Sequence, residues 1–300
     1  MAGESRCGVV AIAGRPNVGK STLLNRMLGA KIAIVTPKPQ TTRDRILGIL
    51  TLPGAQILFH DTPGIHVPSK ALNRRMVRLA EEALADADLV LLVSDAHDPS
   101  TCLEQEALVL DRVRESGRPT LLVLNKIDLL KKSDLLPCMD RWRNAGFEDQ
   151  VPVSARTGDG VDRLIEEVRR RLPVGPPLYP EDDLSDRPMR YLASEIIREK
   201  VFLSTRQEIP YSIAVTIDQF QEPEPPRAVQ IDATIHVEKE SQKPIVIGRN
   251  GAMIKRIGTE ARRELEAILG RSVMLRIFVR VDEEWTRSDR MVRSLLDEGT

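Results

Sequence analysis

Aromatic side chains make up only 3% of the 300 residues, which excludes a recognition surface built mainly on ring stacking. Cysteine is scarce too. Cys7, Cys102 and Cys138 are odd in number and lack the paired spacing of a zinc site, so reduced and mostly buried thiols are expected, as in a cytoplasmic protein. No charge of one sign dominates: 44 basic residues face 44 acidic ones, and net charge indicates no partner. No apolar leader core opens the chain, and strand-like runs such as 89–93 are far too short to span a bilayer, so a soluble protein without a transmembrane segment is expected. Internal repeats and low-complexity tracts are absent.

What is present is alternation. Apolar runs of strand length occur at 8–13, 46–51, 56–60, 88–94, 120–124 and 151–153, with helix-like stretches at 20–28, 72–85, 103–115, 133–144 and 161–172. This order predicts a mainly parallel sheet covered on both faces. One pair departs from it. Runs 46–51 and 56–60 are joined only by Leu52, Pro53, Gly54 and Ala55, too short for a crossover, so they form an antiparallel hairpin. A proline-rich and then acidic stretch follows, read as a linker over 176–189 between a first domain, 1–175, and a second, 190–300. In the second the expected order is helix 191–203, strands 211–219 and 228–237, two helical stretches about Gly248 and Gly251, strand 273–281 and a helix 285–296.

Gly14, Arg15, Pro16, Asn17, Val18, Gly19, Lys20 and Ser21 fit the Gly-x4-Gly-Lys-Ser phosphate loop, between a strand and a helix as that loop requires. Its backbone N–H groups converge on an anion, Lys20 adds a point charge to the β- and γ-oxygens, and the Ser21 hydroxyl ligates Mg²⁺. Base choice is read elsewhere. Asn125, Lys126, Ile127 and Asp128 follow a strand, and the Asp128 carboxylate matches the N1–H and amine of guanine, a donor pair adenine lacks. Asn125 would tie this loop to the phosphate loop, and the Lys126 stem would cover the base. Ser154 and Ala155 would complete the pocket through backbone contact.

Asp61, Thr62, Pro63 and Gly64 end the 56–60 strand: Asp61 would hold Mg²⁺ through water and the Gly64 N–H would meet the γ-phosphate. Of Thr41 and Thr42, in the irregular stretch before the hairpin, Thr42 is the first choice for a hydroxyl that reaches Mg²⁺ only when γ-phosphate is present, with Thr41 the alternative. Where many GTPases carry a water-orienting glutamine, this chain has Ile65, so hydrolysis is slow or uses another element. His60 and His66 flank this element and are read as structural; Asp95 and His97 belong to a capped turn, and Trp142 and Trp285 to packing.

These elements, in this order, resemble the translation-factor-like GTPases and, within them, a bacterial branch of ribosome-assembly and tRNA-modification GTPases. Relatives with a hydrophobic residue at 65 and Asn at 17 are often activated by potassium, so the resemblance implies a K⁺ bound near Asn17; the alternative is that Asn17 bonds only within its loop. Gly248, Arg249, Asn250 and Gly251, flanked by Ile247 and Ile254, resemble the Gly-x-x-Gly clamp of a type II KH domain, which grips four single-stranded nucleotides. Lys255 and Arg256 follow it. Residues 248–280 hold eight basic side chains against three acids, although the module as a whole is balanced. An aliphatic groove from Ile245, Ile247, Ile254 and Ile257 is expected to receive the bases.

Pro39, Gln40, Thr41, Thr42 and Arg43, combined with the Gly-Arg-Asn-Gly clamp, make the whole chain similar to the Era family of bacterial GTPases. The resemblance implies a Ras-like P-loop α/β domain, mostly parallel with one antiparallel strand, then an α+β KH domain of type II. It implies GTP and GDP with Mg²⁺ as ligands, binding to 16S ribosomal RNA near its 3′ end, and maturation of the 30S subunit. It further implies a monomer in the cytoplasm, sometimes peripheral at the inner membrane. Two other readings stand beside it. A tRNA-modification GTPase would want a C-terminal cysteine, and none lies beyond Cys138. An RNA-binding protein in which the nucleotide only stabilises the fold would show no coupling between the two ligands.

Overall fold

The computed structural model describes residues 5–97, 102–206 and 208–297. They divide into two compact units: residues up to 68 together with 75–186, and 69–74 together with 187 onward.

The first unit is a six-stranded sheet in the order β2-β3-β1-β4-β5-β6. Strand β1 (Arg6–Ala13) pairs in parallel with β3 (Ala55–Asp61) and with β4 (Leu89–Asp95), and β4 continues through β5 (Thr120–Asn125) to β6 (Gln150–Pro152). Only β2 (Ile46–Leu52) runs antiparallel, against β3 and across the two-residue turn Pro53-Gly54. Helices α1 (Lys20–Leu28), α2 (Ala71–Asp86), α3 (Cys102–Ser116), α4 (Lys132–Asn144) and α5 (Val161–Arg171) form the connections. Strands β4 and β5 are continuous apolar runs because both faces are covered; Val90, Leu91, Leu92 and Val93 are all fully buried. Parallel strands of this kind leave a crevice beyond their carboxyl ends, where the loops after β1, β3, β5 and β6 meet. Cys7 and Cys138 are buried and unpaired, and the Cys102 side chain lies outside the described residues.

The stretch read as a linker does not run free up to residue 186. Gln56, 1% exposed on β3, accepts the N–H groups of Leu178 and Tyr179 on Oε1, at 2.7 and 3.0 Å. Its Nε2 donates to the Tyr179 carbonyl at 2.9 Å. Farther on, the Ile49 N–H reaches the Leu184 carbonyl at 2.9 Å and Ser185 Oγ donates to the Leu47 carbonyl at 2.7 Å. Proline and acid content signalled absence of helix correctly, but the Gln56 side chain at 178–179 and bonds from Ile49 and Leu47 at 184–185 turn the segment into a strap along β2 and β3.

The second unit begins with α6 (Met189–Ser204) and continues through β7 (Ile213–Gln221), β8 (Val229–Val237), α7 (Lys243–Ile247), α8 (Ala252–Leu269), β9 (Val273–Val281) and α9 (Asp289–Asp297). Its sheet order is β7-β8-β9, with β7 antiparallel and β9 parallel to β8. Two boundaries differ from expectation. Residues 209–212 form a 3₁₀ turn before β7, started by Pro210, which has no N–H to give to a ladder. Residues 285–287 form another, set apart from α9 because Trp285 turns inward, its Nε1 donating to the Ser212 carbonyl at 3.0 Å. Alternate residues of β7 and β8 pack with Ile196, Ile197, Ile257 and Leu265 into one core.

Candidate functional site

The loop after β1 is shaped by close approach. A Cβ on Gly14 would stand 2.3 Å from the Val93 carbonyl oxygen, so only glycine lets this turn rest on β4. Asn17 takes a left-handed φ of 66° and its amide donates to the Pro37 carbonyl at 3.1 Å. Lys20, 6% exposed, folds back over the loop, its Nζ donating to the Gly14 and Arg15 carbonyls at 3.1 and 2.9 Å. Burial brings its ammonium down to about 8, against the pull of Asp61 and Glu106. Pro16 meets Gly64, where a Cβ would lie 2.7 Å from the Pro16 nitrogen, so the loop after β3 touches the phosphate loop.

Three groups expected at a metal converge here. Ser21 Oγ donates to Asp61 Oδ2 at 2.6 Å and lies 2.9 Å from Thr42 Oγ1. Thr41 turns away, its hydroxyl 2.6 Å from that of Thr36 and donating to the Lys38 carbonyl at 2.8 Å. Asp61 is fully buried; burial lifts its carboxyl to about 6 although Lys20 opposes the shift, and its Oδ1 has no partner. A buried acceptor left unpaired among hard oxygen donors fits Mg²⁺. Thr62 donates to the Ile12 carbonyl at 2.9 Å, and Pro63 is buried beside it. Ile65 is 3% exposed and packs among Ala11, Ala80 and Leu84, so its side chain belongs to the core. Residues 34–42 lie across the phosphate loop and leave a cleft of about 60 Å³ against Lys20, Ser21 and Gly64.

The base side is stapled by Asn125. Its Nδ2 donates to the Val18 carbonyl at 2.8 Å, and its Oδ1 accepts the Ala155 N–H at 2.9 Å. Loops after β1, β5 and β6 thus share one side chain, 1% exposed. Lys126, at a left-handed φ of 66°, pairs with Asp95 at 2.6 Å, while Asp95 also accepts the His97 N–H at 3.0 Å. Ile127 packs partly against the core formed with Leu122 and Leu124. Asp128 receives Ser154 Oγ at 2.6 Å and Arg156 at 2.5 Å, and these partners, the serine bond foremost, hold its carboxyl below the usual range. Sequence reasoning missed Arg156 and the Ser154 side chain as partners of Asp128; their adjacency in Ser154-Ala155-Arg156 was the available signal. His66 Nδ1 lies 2.8 Å from the Gly64 carbonyl, and His60 is half-buried on β3.

In the second unit Gly248 has φ 74° and a Cβ there would sit 2.7 Å from the Met253 nitrogen, so the turn between α7 and α8 accepts glycine alone. Arg249 and Asn250 are exposed at its tip and Gly251 closes it at φ 76°. The adjoining groove, about 440 Å³, is lined by Ile254, Lys255, Gly258, Arg262, Leu275 and Ile277, between α8 and β9. The expected aliphatic set is corrected accordingly. Ile257 is fully buried in the core, because it lies on the stripe of α8 that carries Ala261 and Leu265, beside the stripe of Ile254, Gly258 and Arg262 that lines the groove; Ile245 is 51% exposed on α7, and Ile247 half-buried. Local charge is also less available than counting suggests: Arg276 makes a two-bond pair with Asp232, 2.6 Å each, and Arg256 pairs with Glu260 at 2.8 Å.

The family model of a 50S ribosome-binding GTPase matches residues 9–126, and that of a KH domain matches residues 208–286. GTPase Era from Syntrophus aciditrophicus (strain SB) is 50% identical over 290 residues, covering 96% of this chain and 94% of that one. GTPase Era from Geobacter metallireducens is also 50% identical, over 97% of both chains. A crystal structure of an Aquifex aeolicus Era variant bound to GDP.AlF4- is 42% identical and superimposes with a TM-score of 0.92 over 97% of this chain and 98% of that one. Era in complex with MgGDPNP and nucleotides 1506-1542 of 16S ribosomal RNA matches with the same TM-score, identity and coverage. With a GTPase domain followed by a KH domain along a single chain, the protein belongs to the Era family of GTPases.

Proposed function

We propose that this chain is a GTP-hydrolysing switch that binds 16S ribosomal RNA near its 3′ end and assists maturation of the 30S subunit. The observation that carries the nucleotide part is the Asn125 staple: it holds the phosphate loop and the Ala155 loop at fixed separation while Ser154 orients Asp128. A guanine presents two donors to that carboxylate, and a base without them would leave it unpaired. Asp128→Asn is expected to lose at least tenfold in GTP affinity and to prefer xanthosine triphosphate, read by competition binding. An unchanged preference for GTP would sink the assignment.

Ser21 and Thr42, with Asp61 acting through water, would hold Mg²⁺, which would supply charge to neutralise the phosphate oxygens. The residues themselves do the rest. Lys20 exchanges its two loop carbonyls for phosphate oxygens, Gly64 brings its N–H against the terminal phosphate, and Thr42 carries segment 34–42 to or from the site according to whether that phosphate is present. Turnover is slow because Ile65 is buried in the core and cannot orient water. Asn17 would hold a potassium ion, which would supply the missing positive charge. GTPase rate is expected to be several-fold higher in KCl than in NaCl at equal ionic strength, and equal rates remove this part.

The RNA part rests on the Gly248–Gly251 turn beside an open groove flanked by Lys255 and Arg262. Among the described residues no helix is long and apolar enough to cross a membrane. The protein works in the cytoplasm as a monomer, with any attachment to the inner membrane peripheral.

A further inference from the structure

A second buried acid lies behind the phosphate loop, and the chemistry above does not use it. Glu106 of α3 is 1% exposed. Its Oε1 accepts Ser94 Oγ at 3.1 Å, and its Oε2 is buried without a partner. Ser94 is fully buried on β4, next to Val93, whose carbonyl is the surface on which Gly14 rests. A carboxylate with one donor and a dry second oxygen is disfavoured as an anion unless cations answer it.

We propose that Glu106 is a positioning residue of the phosphate site, which answers the loop's cations in the free protein and takes up a proton when nucleotide binds. This rests on the GTP-binding reading above. The charged groups acting on Glu106 are Arg15 and Lys20, which favour its anion, and Asp95, which opposes it and is itself paired with Lys126. Burial outweighs the two cations and lifts the carboxyl to about 7, so near neutral pH the free protein holds it close to half-protonated. Nucleotide phosphates bring several negative charges to the same loop and engage Lys20. The anion then loses support and gains repulsion, and the neutral acid, needing fewer donors, takes its place. A bond between Ser94 and Glu106 that merely filled the core would show no such linkage.

Calorimetric titration of the full chain with Mg²⁺ and a non-hydrolysable GTP analogue, in buffers of differing ionisation enthalpy, reads the protons taken up. Glu106→Gln, which mimics the neutral acid, is expected to reduce uptake at pH 7 by about half a proton, with affinity near wild type at pH 6. Above pH 7 wild-type affinity should fall relative to the variant, approaching tenfold per pH unit. Contributions from the analogue's phosphate and from Asp61 are common to both proteins and cancel in the difference. Ser94→Ala keeps the acid but removes its donor, and should move the uptake maximum to higher pH. Equal uptake and parallel pH profiles in wild type and Glu106→Gln would overturn the proposal while leaving the nucleotide site standing. Failure of the wild type to bind the analogue at all would overturn both.

Discussion

His60 carries the clearest pH signature outside the phosphate loop. Half-buried on β3 with Nδ1 unpartnered, it is pushed down to about 4, first by burial and then by Arg45, with Asp86 opposing. The unfolded chain therefore takes up this proton before the folded one does. Stability from this residue is full above about 6.5 and is lost as pH falls toward 4, by on the order of 2 kcal/mol once partial exposure is allowed for. Urea unfolding between pH 4 and 7 should show a steeper loss for wild type than for His60→Gln; parallel curves would refute it. At this scale the motifs were highly legible. Gly14, Lys20, Ser21, Asp61, Asn125 and Asp128 are recognisable because each chemistry tolerates few residue types at fixed spacing. Glu106, Ser94 and Arg156 were not, since a buried partner from a distant element leaves no local pattern.

Among the elements, the hairpin of β2 and β3 could be read directly, because four residues cannot carry a crossover. The strap could not. Composition reports that residues 173–186 form no helix, yet their middle is pinned by Gln56, an ordinary-looking polar residue in an apolar strand. Gln56→Met keeps the volume but removes its bonds to Leu178 and Tyr179. A loss of about 2–3 kcal/mol is expected, since the two strap N–H groups are left without an acceptor, together with faster proteolysis within 176–186. Unchanged stability and cleavage would show that the strap is held by other contacts. Helix α7 and the turn after it were placed correctly for a different reason: Gly248 is required both by its backbone angle and by Met253. The lining of the adjacent groove was misjudged at Ile257, which shares the core-facing side of α8 with Ala261 and Leu265, because apolar character does not say which side of the helix meets the sheet.

Across the whole molecule, each unit buries one tryptophan, Trp142 at 1% exposure and Trp285 at 0%. Single-tryptophan proteins, Trp285→Phe and Trp142→Phe, therefore report on the two cores separately. Mg²⁺ with GTP at about 100 times its Kd should raise the unfolding free energy sensed by Trp142 by about 2.7 kcal/mol. A fragment of the ribosomal RNA 3′ end should protect the core sensed by Trp285, and Gly248→Asp should abolish only that second effect. Nucleotide that protected neither core would contradict the site. In the six-stranded sheet β2 is an outer strand, and the opposite margin, β6, is only three residues long. With the Leu184 carbonyl on the Ile49 N–H and Ser185 Oγ on the Leu47 carbonyl, the strap occupies part of the outer ladder that another copy would extend. The segment that leads toward the second unit thus also acts as a guard against edge-to-edge aggregation.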